Sequence, residues 1–92
     1  MQVPDDSMEP TLKLGAYVLV NTHDRDWNTI SHGIYLLKLE ERILVKRLQY
    51  LPDRILKVMS DNPAYEAFSI ELAGRTNSLS LMGKVVWYGQ TL

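Results

Sequence analysis

Three features of the sequence predict a mainly antiparallel, all-β domain. Short apolar and β-branched runs recur along the chain, turn chemistry separates them at close spacing, and the single helix-start signal is cut short by Pro10. Ninety-two residues make one domain, with material for one core and little to spare.

The chain opens on Asp5-Asp6-Ser7-Met8-Glu9-Pro10-Thr11-Leu12. Asp6 followed three places later by Glu9 reads as a capping box, in which one side chain accepts from orphan amides and the other reaches back. Ser7 then takes the first helical position, where unpaired N–H groups and the positive end of the dipole point outward. A negative oxygen developing on an acyl group attacked by Ser7 would meet donors there. Pro10 restricts the element to one short or 3₁₀-like turn. An ordinary capped turn also accounts for every one of these features, so Ser7 needs a base before it can be read as a nucleophile.

Gly15 ends that segment, and Tyr17-Val18-Leu19-Val20 reads as a buried strand. Residues 21–33 are polar and form a long connection that Trp27 and Ile30 pin to the body. Residues 34–39 and 42–51 are strands joined at Glu40-Glu41, a hairpin without the glycine or asparagine of a primed turn. Pro52-Asp53 turns the chain into a strand over 54–59. Ser60-Asp61-Asn62-Pro63 is dense turn chemistry, and 64–72 is ambiguous, with Tyr65, Phe68, Ile70 and Leu72 available to the core. Residues 79–88 close the chain as a long apolar strand bent near Gly83. As a terminal apolar edge, that strand is expected to be covered by a second copy of the chain.

Composition narrows the function classes. The formal net charge is −1, which argues against nucleic-acid binding by a basic surface. No cysteine is present, which removes disulfides, thiolate metal sites and cysteine nucleophiles and fits a reducing cytoplasm. His23 and His32 have no metal-ligand spacing and read as surface or turn histidines. Neither metal nor cofactor is expected. The first residues are too polar for a signal peptide, and no apolar run is long enough to cross a bilayer.

A base for Ser7 is offered by Ile43-Leu44-Val45-Lys46-Arg47-Leu48-Gln49-Tyr50. With a strand period of two, Leu44, Lys46, Leu48 and Tyr50 share one face and Ile43, Val45, Arg47 and Gln49 the other. An ammonium flanked by Leu44 and Leu48 is poorly solvated, so its pKa falls toward the range of a usable base. The alternative is a snorkelling lysine with a covered stem and a wet head. Arg47 reads as a solvated charge.

Ser7-Met8-Glu9-Pro10-Thr11-Leu12, Val45-Lys46-Arg47-Leu48, Ser60-Asp61-Asn62-Pro63 and Gly83-Lys84-Val85-Val86-Trp87 occur in that order. Together these four blocks resemble the C-terminal domain of the LexA, UmuD and phage-repressor family of self-cleaving Ser–Lys peptidases, over nearly the whole chain. The resemblance implies a bent, mostly β fold or partial barrel, with Ser7 as nucleophile, Lys46 as general base and an oxyanion site from the amides of Ser7 and Met8. It implies cleavage of an upstream peptide bond promoted by a RecA–single-stranded DNA filament, and a homodimer. Operator DNA would be bound only through an N-terminal domain that, with the cleavage segment, is absent here. Gly15-Ala16 stands where many relatives have Gly-Asp, and Ala73-Gly74 matches a scissile dipeptide but lies downstream. A catalytically silent dimerisation module of a phage repressor, and an unanchored signal-peptidase-like enzyme, are the other readings.

Overall fold

A computed structural model describes residues 1–23, 25–74 and 78–89. Its strands are β1 (Tyr17–Asn21), β2 (Gly33–Leu39), β3 (Arg42–Leu51), β4 (Ile55–Met59), β5 (Phe68–Glu71) and β6 (Leu79–Gly89), with 3₁₀ turns at Trp27–Thr29, Pro52–Arg54 and Leu72–Gly74. They form one open antiparallel sheet in the order β1-β6-β2-β3-β4-β5. The predicted strands all form, β3 with the bounds read from the sequence, but β1 is not the buried strand expected: Val18 is covered while Tyr17 and Leu19, on its other face, are exposed. The ambiguous stretch resolves into β5 followed by a 3₁₀ turn. No helix among the described residues is long and apolar enough to cross a membrane.

Alternation along β2 and β3 divides the apolar residues between the two faces of the sheet. Tyr35, Leu37, Leu48, Leu56, Val58, Ile70, Leu72 and Leu81 form one core cluster, with Trp27, Ile30, Leu44 and Tyr50 packed against it. Val3, Met8, Leu12, Ala16, Val18, Leu36 and Val45 form the other, beneath the opening turn. Trp27 and Ile30 thus pin the long polar connection as their apolar character requires.

The hairpin at Glu40-Glu41 is a two-residue primed turn after all, with both residues at positive φ, 50° and 69°. The right-handed twist of β2 and β3 imposes that geometry whichever residues occupy it.

The last strand is not the sheet edge expected for it. β6 lies between β1 and β2, because β1 returns to pair with its second half. It bends through two irregularities, where Leu36 and Leu37 face Gly83 and Leu81, and where Leu19 and Val20 face Trp87 and Val85. Pairing with β2 stops at Lys84, so beyond that point β6 is paired with β1 alone.

Candidate active site

The segment carrying Ser7 is a turn, not a capped helix. Glu9 N–H donates to the carbonyl of Asp6 at 3.2 Å and Leu12 N–H to that of Met8 at 2.9 Å, one helical turn that goes no further past Pro10. Val3, Met8 and Leu12 are fully buried and anchor it to the core. The predicted capping box does not form. Asp6 instead accepts from the Tyr65 hydroxyl, and Glu9 Oε2 accepts from Leu14 N–H at 3.4 Å. The cap comes from one residue earlier: Asp5 Oδ1 accepts the Ser7 N–H at 3.0 Å and the Ser7 hydroxyl at 2.6 Å. The sequence signal is an aspartate two places before a residue whose N–H it can reach, the local Asx geometry.

Lys46 lies on β3, paired with Tyr35 of β2, on the face that Leu44 and Leu48 give to the first core cluster. Ser7 is 1% and Lys46 7% exposed, and they are the buried polar residues of the described chain. Burial pulls the Lys46 ammonium below the ordinary lysine pKa, and the Asp5 charge works against that fall. Its head is tied to the protein: Lys46 Nζ donates to Ser60 Oγ at 2.8 Å and stands 5.2 Å from the centre of the Tyr65 ring. No hydrogen bond joins Ser7 to Lys46. Each has a different partner, Asp5 for the serine and Ser60 for the lysine.

The turn after β4 brings these two elements together through three consecutive side chains. Ser60 takes the lysine. Asp61 accepts from Arg47 Nε and Nη2, both at 2.8 Å, and from the Thr11 hydroxyl. Asn62 gives its side-chain amide to the Asp6 carbonyl at 3.0 Å and its backbone N–H to the Ser7 carbonyl at 2.9 Å. Arg47 is therefore a bidentate, half-buried partner and not the solvated charge its place on the strand suggested. Those hydrogen bonds raise the Arg47 pKa and hold the Asp61 carboxyl below the usual range.

Beside the site runs a groove of about 600 Å³, lined by Pro4, Asp5, Ile43, Leu44, Lys46 and Tyr65 among others. β4 pairs with β3 only from Arg47 onward, so the part of β3 along this groove has no strand on that side. A buried hydroxyl, a desolvated amine and an open groove of mixed lining beside them, with Asp5, Glu40 and Arg42 among Leu39, Ile43 and Leu44, suit acyl transfer from an extended peptide.

A family model described as Peptidase S24-like matches residues 1–86. No curated protein matches the chain.

Proposed function

Since the chain belongs to the Peptidase S24-like family, we propose that it is the C-terminal peptidase and dimerisation domain of a phage-type or SOS repressor. In this reading Ser7 is the nucleophile and Lys46 the general base. The observation that carries it is the burial of both side chains at the junction of the opening turn and β3, with the ammonium held below its ordinary pKa. A neutral Lys46 amine takes the Ser7 proton as Oγ attacks the carbonyl carbon. The C–N bond breaks, the leaving amine departs with the proton from Lys46, and water hydrolyses the ester that remains. Backbone N–H groups of Ser7 and Met8 would hold the oxyanion. The substrate bond lies upstream in the repressor, in the cytoplasm, and a RecA–single-stranded DNA filament promotes the cut.

Dimerisation is supported by an apolar patch on β1 and β6. Tyr17, Leu19 and Trp87 are exposed on one face of the pair, Leu19 directly opposite Trp87, with exposed Val86 at the bulge beside them and Tyr88 on the other face, and this half of β6 has β1 alone beside it. A second copy would cover it, making two weak operator contacts by the N-terminal domains into one avid one.

The separate partners of Ser7 and Lys46 favour a second reading, a silent dimerisation module. The test supplies this domain in trans with a longer relative whose own serine is mutated, at neutral and alkaline pH, with products weighed by mass spectrometry. A single cut that rises with pH and vanishes in Ser7→Ala and Lys46→Ala is the expected result. A folded dimer that cuts at no pH is the module.

A further inference from the structure

We propose that Asp5 is a built-in restraint on the nucleophile, occupying through one carboxylate oxygen both the hydroxyl and the N–H of Ser7, so that a substrate carbonyl must displace it before attack. The inference rests on the Ser–Lys reading above and adds the regulation of that site.

Two distances carry it. Asp5 Oδ1 lies 2.6 Å from Ser7 Oγ and 3.0 Å from Ser7 N. The first contact commits the proton that a base has to remove. The second commits an amide that an oxyanion at Ser7 would use. A carboxylate is a far weaker base than a neutral lysine amine, so of the two groups beside Ser7 it is Lys46 that is suited to carry the serine proton. Burial disfavours this carboxylate, but the bonds from Ser7 and the charge of Lys46 outweigh it and its pKa is lowered. Asp5 therefore accepts from Ser7 and orients it, and its lowered pKa makes it a poor competitor of Lys46 for the proton.

Asp5 also acts on the amine. Its negative charge opposes the desolvation that lowers the Lys46 pKa, and so favours the protonated, inactive form. Other groups facing Lys46 are the Ser60 hydroxyl and the Tyr65 ring, with Glu40 and Arg42 lining the same groove. Asp6, the next carboxylate in the turn, is bonded to the Tyr65 hydroxyl. Asp5 lines the groove as well, so a peptide entering it meets the restraint directly.

The test compares the wild-type chain with Asp5→Asn and Asp5→Ala, with Ser7→Ala and Lys46→Ala as controls. Asparagine keeps an oxygen for the Ser7 N–H and so preserves the turn if alanine does not. Lys46 is titrated by NMR of its ammonium, and the rate at which Ser7 is labelled by a fluorophosphonate is followed by mass spectrometry. Both Asp5 variants should titrate Lys46 at lower pH than wild type and label Ser7 at pH 7 severalfold faster, alanine more than asparagine. An unmoved Lys46 titration, or labelling no faster in either variant, overturns the restraint. If labelling then still needs Lys46, the peptidase reading stands without it. If Ser7 is labelled in no variant and Lys46 titrates as an ordinary lysine, both fall.

Discussion

Lys46 Nζ donates to Ser60 Oγ at 2.8 Å across fourteen residues of sequence, and that bond fixes where the amine of β3 points. In Ser60→Ala the buried ammonium loses its hydrogen-bond partner and keeps the charge of Asp5 and the Tyr65 ring near it. Loss of a partner disfavours the charged form, so the alkaline rise of cleavage should begin at lower pH. Loss of orientation should reduce the plateau rate on the order of tenfold. Ser60→Thr, which keeps the hydroxyl, should restore both. A pH–rate profile unchanged in midpoint and plateau would reduce Ser60 to a turn residue.

The Asp61 carboxylate predicts an acid limit to stability. Its hydrogen bonds from Arg47 and, against burial, from Thr11 hold its folded pKa below the ordinary 3.8. A lowered folded value means that the stabilisation is complete above 3.8 and is lost as pH falls through the folded value. Arg47 stays charged throughout. Asp5, also lowered, adds to the same window. Asp61→Asn should cost about 2 kcal/mol at pH 7 and flatten the fall in Tm as pH drops below the ordinary carboxylate range. Equal slopes for variant and wild type would place the acid sensitivity elsewhere.

What the sequence disclosed, and what it did not, follows from the range of each interaction. β3 was legible to the residue because Ile43 to Tyr50 alternate between two apolar clusters, and alternation is local information. Ser7 and Lys46 read locally as a turn serine and a lysine between apolar neighbours, and their burial near one another depends on contacts between the opening turn, β3 and the turn after β4 that no local pattern encodes. Ser60, Asp61 and Asn62 were read as turn formers, which they are. Nothing local says that each side chain reaches a different residue 14 to 56 positions away. Asp5 and Asp6 are equally good caps in sequence. Tyr65 and Asn62 engage Asp6, leaving Asp5 to the serine. The last strand was misplaced at an edge because its neighbour β1 is the first strand of the chain, a pairing that no local pattern encodes.

The Glu40-Glu41 turn holds two non-glycine residues in left-handed backbone, at φ 50° and 69°. Each such residue costs about 1 kcal/mol, and Asn-Gly adopts this geometry with far less strain. Replacing the pair with Asn-Gly should stabilise the domain by about 1–2 kcal/mol in urea denaturation. The lost Lys38–Glu41 ion pair, 3.3 Å long and exposed, offsets little of that. A midpoint that fails to rise would mean that the flanking strands do not hold the turn in this form.

Gly83 sits where β6 leaves β2 for β1, opposite Leu36 and beside Lys84, which pairs with both strands. A Cβ there would stand 2.5 Å from Val20 Cγ1 and 2.6 Å from the Asn21 carbonyl oxygen. Valine has little rotamer freedom on a strand, and a paired backbone carbonyl has less. Gly83→Ala must therefore push β1 off β6, at a cost of about 2–3 kcal/mol. β1 yields first, since its remaining strand contact is the single bridge from Gln2 to Tyr17. Amide exchange should quicken in β1 more than in β3 and β4. The exposed patch shared by Leu19 and Trp87 would be split, so any dimer formed through it should weaken in the same variant. Gly15→Ala is the control. Gly15 has φ +83° but open space around it, so alanine there meets only backbone strain of about 1 kcal/mol. If Gly83→Ala proves no more harmful than Gly15→Ala, the bend relaxes without parting the strands, and the close approach of β1 to β6 is not what fixes glycine at this position.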